Sequence, residues 1–190
     1  MAEPQPGKEP ATWSRVARRV RVPLGFAFAA FYLWRANPTY TSLLIGAMIA
    51  LVGIFIRALA SGHVDKNRVL TTTGPYAYVR NPLYLGSVIL GLGFAIAARD
   101  VWVFFVIILL FVAIYLPVIR SEEAFLRGRF PEYDEYARRV PSLLPHRLPL
   151  RQITKGFSRE LYFKHREYNS LLGAAGMLAI LVAKILWFLG

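Results

Sequence analysis

Two short polar stretches contain the residues best suited to chemistry in this chain. The first, residues 80–84, reads Arg-Asn-Pro-Leu-Tyr, and the second, residues 120–123, reads Arg-Ser-Glu-Glu. An arginine can bind a carboxylate, a glutamate can bind an ammonium group, and an aromatic ring can contact a sulfonium or an adenine. S-adenosylmethionine carries all of these groups. Methyl transfer from its sulfonium is an in-line displacement that depends mainly on alignment in a dry pocket.

Each polar stretch lies at the end of a predicted apolar helix. Residues 83–98 and 101–119 are apolar and are separated by only two residues, which predicts a tight helical hairpin. A hairpin returns the chain to the side on which it started. We therefore expect Arg80 and Glu123 to meet in the same leaflet and to contact one bound nucleoside.

Composition predicts the fold class. The chain has 190 residues, of which 56% are hydrophobic, and a transmembrane helix needs about 20 mostly apolar residues. We expect an all-α, polytopic membrane bundle of about five transmembrane helices with a cytoplasmic cofactor pocket, folded as a single domain. The apolar runs are residues 20–34, 41–60, 83–98, 101–119 and 171–189. Around them we expect a basic N-terminal segment at residues 1–19, a core hairpin with its motifs at residues 74–141, and a lid or surface helix at residues 142–170.

The placement of charge indicates the orientation. Lysine and arginine total 23 against 11 acidic residues, and with five spans most of the basic residues fall in residues 1–19, 61–82 and 120–170. Basic residues concentrate in loops that stay in the cytoplasm. We therefore expect an integral protein of the bacterial inner membrane whose N-terminus and active site are cytoplasmic. The same asymmetry accounts for the net charge of +12 without nucleic acid as a partner.

No metal site is expected. The chain has no cysteine, and its three histidines, His63, His146 and His165, are far apart in the sequence without the spacing of a metal motif.

Other polar and small residues of the spans have structural interpretations. Arg57 and Lys184 lie near the ends of spans, where long cations are expected to snorkel to the interface. Small residues let helix backbones approach closely. The positions expected to pack in this way are Gly46, Ala50, Gly53, Gly86, Gly91, Gly93, Gly173 and Gly176.

The order of motifs between residues 74 and 141 resembles one known family. Residues 74–86 read Gly-Pro-Tyr-Ala-Tyr-Val-Arg-Asn-Pro-Leu-Tyr-Leu-Gly, and a Glu-Glu pair, Phe-Pro-Glu-Tyr-Asp-Glu-Tyr and Val-Pro follow. This combination is similar to the membrane methyltransferases that include isoprenylcysteine carboxyl methyltransferase and the phospholipid N-methyltransferases. The resemblance implies an S-adenosylmethionine-dependent methyltransferase. Its implied cofactor-binding residues are Tyr76, Arg80, Asn81, Pro82, Tyr84, Gly86, Glu122 and Glu123.

One position departs from the family pattern. Asn81 stands where the farnesyl-cysteine methyltransferases of eukaryotes most often have histidine. Asparagine can donate and accept hydrogen bonds but does not titrate near neutrality. A general base at position 81 is therefore not expected.

The catalytic pair expected from these residues is Arg120 and Glu123. Arg120 could hold a carboxylate acceptor, and Glu123 could take a proton from an amine acceptor. Residues that follow in the chain are expected to contact a lipophilic acceptor dissolved in the bilayer. These substrate-binding candidates are Tyr133, Tyr136, Arg166 and Tyr168.

Several alternatives remain open at this point. The acceptor could be a prenylated cysteine, a phospholipid amine, an isoprenoid acid or a small thiol. A lipid-binding membrane scaffold without enzymatic activity would show the same spans, and an NADPH-dependent membrane reductase would share part of the helical pattern.

Overall fold

The computed structural model describes residues 12–65, 68–145 and 153–189, and every regular element in these ranges is helical. The predicted all-α fold class is confirmed. The elements are α1 (Thr12–Arg35), α2 (Tyr40–Ser61), a 3₁₀ turn (Gly74–Ala77), α3 (Pro82–Ala98), α4 (Val101–Leu110), a π-helical segment (Phe111–Tyr115), α5 (Leu116–Arg129), α6 (Tyr133–Arg139), α7 (Arg159–Lys164) and α8 (Tyr168–Leu189). Residues 1–11 of the predicted N-terminal segment, residues 146–152 of the predicted lid and His146 lie outside the described residues.

Within the described ranges, three helical stretches are long and apolar enough to cross a membrane: Tyr40–Ser61, Val101–Arg129 and Tyr168–Trp187. Helix α3 is also apolar but has 17 residues. Helix α1 begins at Thr12 and runs without a break to Arg35, so part of the predicted N-terminal segment belongs to the first helix. The number of five spans stays a prediction.

Helices α2 and α3 pack through glycines. A Cβ atom added to Gly46 would lie 2.5 Å from the carbonyl oxygen of Gly93, and one added to Gly53 would lie 2.6 Å from that of Gly86. Any larger residue would therefore push the two backbones apart. The prediction of close packing is confirmed at these positions. It is wrong for Gly173 and Gly176, because no described atom lies within 4 Å of a Cβ added to either.

The α3–α4 hairpin closes as its sequence predicts. Arg99 ends α3 in the left-handed conformation, with φ of 51°, and the Asp100 carboxylate accepts a 3.0 Å hydrogen bond from the Val103 N–H to cap α4. Arg35 at the end of α1 bonds Asp100 at 2.6 Å. Lys184 of α8 donates to the carbonyl oxygens that end α1, so its amine has protein partners in addition to the predicted interface.

A π-helical segment separates α4 from α5. The Leu116 N–H donates to the carbonyl oxygen of Phe111, five residues back, and Pro117 follows without an N–H of its own. A proline ring interferes with α-helical bonding in the preceding turn, and the wider π turn accommodates it. The extra residue directs the Tyr115 ring towards Tyr84 of α3, with centroids 5.6 Å apart and planes nearly perpendicular.

Candidate functional site

The two ends of the α3–α5 hairpin meet at Glu123. Asn81 directly precedes α3 because Pro82 begins that helix, and α5 brings Glu123 to the same side. The Arg80 Nη2 atom lies 3.3 Å from Glu123 Oε2, and Asn81 Nδ2 donates to Glu123 Oε1 at 2.7 Å. The expected contact between Arg80 and Glu123 is therefore present.

Ser142 completes this cluster, and sequence reasoning missed it. Its hydroxyl donates to Glu123 Oε1 at 2.8 Å and accepts from Asn81 Nδ2 at 3.1 Å. The backbone pairs as well, because the N–H groups of Arg80 and Asn81 donate to the carbonyl oxygens of Pro141 and Ser142. The available signal was the Val-Pro dipeptide before Ser142, which marked the segment without indicating that the next hydroxyl turns inward.

Two buried polar atoms beside Glu123 have no hydrogen-bond partner among the described residues: Arg80 Nε and the Tyr133 hydroxyl. Leaving such a group unsatisfied costs about 1–3 kcal/mol. Burial raises the pKa of Tyr133, and the negative charge of Glu123 raises it further, so the phenol keeps its proton and can donate. Both atoms are suited to an acceptor supplied by a ligand.

The cluster could hold a ligand that carries both an ammonium group and a carboxylate, as an amino acid does. A carboxylate offers about four lone-pair directions. Glu123 uses three of them for Asn81, Ser142 and Arg80, which leaves capacity for an ammonium group. The ligand carboxylate could accept from Arg80 Nε and from the Tyr133 hydroxyl.

Tyr76 and Tyr136 lie beside this cluster and contact each other. The Tyr136 hydroxyl donates to the Tyr76 carbonyl oxygen at 2.7 Å, so its proton already has a partner within the chain. Gly74 begins the turn with φ of 58°, and a Cβ atom there would lie 2.4 Å from the His63 ring. Burial raises the pKa of Tyr76, and the nearby charges of Tyr136 and Glu122 add to the rise.

Two predicted residues of α5 lie on its outer surface. Arg120 and Glu122 are exposed, and within the described parts of the chain neither makes a hydrogen bond or an ion pair. The cofactor role of Glu122 and the acceptor role of Arg120 stay predictions.

The remaining predicted residues lie in the α2–α3 seam and at the start of α8. Gly86 packs against Gly53 and the Arg57 side chain, in the helix seam. Arg166 is exposed with φ of 52°, and the Tyr168 ring lies 6.3 Å from that of Phe163 near the start of α8. Sequence also predicted that Arg57 snorkels to the interface, which stays a prediction, and the structure adds a partner within the chain, because the Arg57 guanidinium binds Glu167 at 2.7 Å.

Comparison with known protein families identifies the family of this chain. The family model described as phospholipid methyltransferase matches residues 39–133, from the end of the α1–α2 connection to the start of α6. The chain belongs to the phospholipid methyltransferase family. The matched region contains Arg80, Asn81 and Glu123, while Ser142 follows it. With its apolar helices, family membership identifies an integral membrane protein.

Three curated relatives of this family member are similar over parts of their length. The cobalt-zinc-cadmium resistance protein CzcN of Cupriavidus metallidurans is 39% identical over 59% of this chain and 51% of its own. The nickel-cobalt-cadmium resistance protein NccN of Alcaligenes xylosoxydans xylosoxydans is 34% identical over 83% and 66%. The protein-S-isoprenylcysteine O-methyltransferase of Schizosaccharomyces pombe is 36% identical over 52% and 42%. The chain thus spans between 42% and 66% of these relatives.

Solved structures and possible metal ligands were also compared with this chain. No solved structure is significantly similar to it. Although two relatives are named for metal resistance, the described residues contain no group of three or more His, Asp or Glu side chains that could hold a metal ion.

Proposed function

We propose that this protein is an S-adenosylmethionine-dependent methyltransferase that acts on a lipophilic acceptor dissolved in the membrane. The observation that carries the proposal is the polar cluster around Glu123. A carboxylate held by three donors lies beside two buried hydrogen-bonding atoms, Arg80 Nε and the Tyr133 hydroxyl, that have no partner in the described chain. Membership of the phospholipid methyltransferase family supports the reaction class.

The residues of the cluster would bind and orient the donor. S-adenosylmethionine supplies a methyl group on a positively charged sulfur. Glu123 would bind its ammonium group, while Arg80 Nε and Tyr133 would donate to its carboxylate. Alignment in a site that excludes water can lower the barrier by about 7–11 kcal/mol. The chain then needs no strong base, which agrees with asparagine at position 81.

An isoprenylcysteine-type carboxylate, or a related lipid acid, is the acceptor class that fits best. A carboxylate is already nucleophilic at neutral pH and needs no proton removed, whereas Glu123 already accepts from three donors and is assigned to the ammonium group of the methyl donor. The exposed Arg120 on α5 could bind the acceptor carboxylate. The Tyr84 and Tyr115 rings contact each other between α3 and the π-helical segment, with centroids 5.6 Å apart. A phospholipid amine or a small thiol would require a proton acceptor from elsewhere.

Binding and transfer assays test the proposal in sequence. Titration calorimetry of the detergent-solubilised protein should show heat with S-adenosylhomocysteine and none with NADPH. Methyl-labelled S-adenosylmethionine, supplied with a total membrane lipid extract, should then label a species that mass spectrometry can identify. Binding of NADPH alone would support a reductase, and binding of neither ligand would support a scaffold. Either outcome contradicts the proposal.

We also propose that the cluster faces the cytoplasm of a bacterial cell. Basic residues near Glu123 and α7 include Arg80, Arg129, Lys155, Arg159 and Lys164. At the opposite end of the bundle, the described chain places Arg35, Arg99 and Lys184. This asymmetry supports an inner-membrane location with the donor site on the positive side.

A further inference from the structure

Arg57 is the centre of a second polar cluster, which the proposed chemistry does not use. It lies near the C-terminal end of α2, inside a stretch apolar enough to span the membrane. Its Nε and Nη2 atoms bind the two carboxylate oxygens of Glu167 at 2.7 and 3.2 Å, and Nη2 also donates to Ser170 Oγ at 3.2 Å. Its Nη1 atom donates to Ser87 Oγ and to the Leu83 carbonyl oxygen. One guanidinium therefore joins α2, α3 and the start of α8.

The surrounding backbone is shaped for this contact. A Cβ atom added to Gly86 would lie 2.6 Å from Arg57 Cγ, so glycine at this position leaves room for the arginine stem. On the other side, Arg166 adopts a left-handed backbone with φ of 52° directly before Glu167. A non-glycine residue pays about 1 kcal/mol for that conformation. The left-handed conformation of Arg166 coincides with a turn that directs the Glu167 side chain towards Arg57.

Burial separates this pair from a surface ion pair. The Arg57 side chain is 21% exposed and that of Glu167 is 10% exposed. Desolvating two charges can cost as much as their attraction returns, and an apolar pair of similar volume is often as stable. Stability alone is therefore a weak reason for a buried pair whose partners are spread over three helices. A role in holding the three helices in a fixed arrangement explains the buried pair better.

Contacts made by Arg57 connect it to the Glu123 cluster through the first turn of α3. Arg57 binds the Leu83 carbonyl oxygen in the first turn of α3, and Ser87 Oγ donates to the same carbonyl at 2.9 Å. That turn starts from Asn81, whose own carbonyl oxygen accepts from the N–H groups of Tyr84 and Leu85. The orientation of the Asn81 amide towards Glu123 thus depends on a turn that Arg57 holds.

The segment before α8 is also held against the end of α2. Ser158 N–H donates to the Gly62 carbonyl oxygen at 2.8 Å, and His165 Nδ1 lies 3.2 Å from the Ser61 carbonyl oxygen. These contacts fasten the segment to the end of α2, directly after Arg57. Glu167 is also close enough to Tyr76 to act on its ionisation, after the larger effects of burial, Tyr136 and Glu122 on its pKa.

We propose that Arg57 and Glu167 are positioning residues, which fix the first turn of α3 against α8 and so hold Asn81 in register with Glu123. The inference rests on the proposed donor site. It assigns a role to a pair 110 residues apart that lies outside that site. Neither residue contacts Glu123, so they act through Leu83 and Asn81.

The test compares Arg57→Gln and Glu167→Gln with Arg35→Gln. Arg35 forms a matched ion pair with Asp100 at 2.6 Å, at the other end of the bundle. A pair that only ties helices together would lower the melting temperature in all three variants alike. A positioning pair would in addition alter the ligand-free site, which hydrogen exchange of the amides of residues 83–87 reports without any donor present.

We expect both Arg57→Gln and Glu167→Gln to exchange these amides about tenfold faster, since local opening governs exchange. We also expect their S-adenosylhomocysteine affinity to fall about tenfold, since a small misplacement can cost up to about a hundredfold. Arg35→Gln should match the wild type in both measurements. If Arg57→Gln does not fold, Glu167→Gln and Glu167→Asp are compared instead. We expect the aspartate variant to keep part of its affinity for S-adenosylhomocysteine.

A failure of the positioning role and a failure of the proposed function would give different results. Exchange and affinity equal to those of Arg35→Gln in folded Glu167→Gln would overturn the positioning role. Absence of S-adenosylhomocysteine binding by the wild type would instead overturn the proposed function, whatever the exchange pattern.

Discussion

The side-chain amide of Asn81 donates a 2.7 Å hydrogen bond to Glu123 across the end of the α3–α5 hairpin. Two residues separated by 42 positions thus form the short contact at the centre of the polar cluster. Asparagine is well suited to this position because its amide donates at any pH, whereas a histidine would donate from a given nitrogen only in some protonation states. The contact makes position 81 a support for Glu123.

Replacing the donor at position 81 should weaken ligand binding. A hydrogen bond to a charged group contributes about 1.5–3 kcal/mol, which corresponds to about 10- to 100-fold in affinity. We expect Asn81→Ala to lose about tenfold in S-adenosylhomocysteine affinity, and Asn81→Asp to lose more because it places a second carboxylate beside Glu123. Calorimetry checks both. An Asn81→Asp variant that binds as well as Asn81→Ala would contradict the assigned contact.

Ser142 should matter through its hydroxyl. It donates to Glu123 Oε1 at 2.8 Å, and Ser142→Ala removes that bond while leaving the backbone pairing in place. We expect KM for the methyl donor to rise about tenfold, by about 1.5 kcal/mol of lost charge-assisted bonding. Ser142→Thr keeps a hydroxyl and is the matched control. Equal KM values for the alanine and threonine variants would show that the hydroxyl is not used.

Tyr133 and Tyr136 lie three residues apart on α6 and should behave differently. The Tyr136 hydroxyl donates to the Tyr76 carbonyl oxygen, so Tyr136→Phe should lower the free energy of unfolding by about 1 kcal/mol. The Tyr133 hydroxyl has no partner among the described residues, so Tyr133→Phe should not lower the free energy of unfolding, should raise it if the hydroxyl is unsatisfied without ligand, and should weaken S-adenosylhomocysteine binding. Thermal melts and calorimetry of the two variants measure this contrast. The opposite assignment of the two effects would refute it.

Ionisation of Tyr136 offers a separate test of its burial. Burial raises the pKa of Tyr136 above its usual value of about 10, so the folded state favours the neutral phenol. Its contribution to stability is therefore complete below about pH 10 and is lost as the pH rises towards the folded pKa. We expect the melting temperature of the wild type to fall more steeply above pH 10 than that of Tyr136→Phe. Parallel curves for the two proteins would contradict the buried position.

The orientation can be measured without interference, because the natural chain has no cysteine. Single cysteines at the exposed positions Lys164 and Asn37 lie near opposite ends of the bundle. In intact bacterial cells, a membrane-impermeant maleimide should label Asn37→Cys and spare Lys164→Cys, and inverted vesicles should give the reverse. Labelling of Lys164→Cys from outside would place the donor site on the wrong side of the membrane.

Sequence alone was sufficient for the parts of the fold that depend on local patterns. The apolar runs and the two-residue turn predict the hairpin, and the hairpin brings Arg80 to Glu123. The glycines of α2 and α3 predict a close seam because only small residues permit it. In each case the pattern and its consequence lie within one helix or one hairpin.

The parts that sequence missed depend on distant partners or on helix phase. Arg57 resembled an ordinary snorkelling residue because Glu167 is 110 residues away and turns inwards through a left-handed backbone at Arg166. Glu122 and Glu123 are adjacent, but consecutive residues of a helix point about 100° apart. Which of the two faces α3 depends on the π-helical segment before α5. Pro117 is compatible with that segment but does not by itself indicate the change of helix phase.

The most direct test of the account compares Glu123→Gln with Glu122→Gln. Both substitutions remove one negative charge from the same helix, but Glu123 is held in the polar cluster whereas Glu122 is exposed. Calorimetry with S-adenosylhomocysteine should show an affinity loss of at least about tenfold for Glu123→Gln and little change for Glu122→Gln, since a buried charged partner contributes about 1.5–3 kcal/mol. Equal affinities in the two folded variants, or a larger loss for Glu122→Gln, would contradict a donor site built around Glu123.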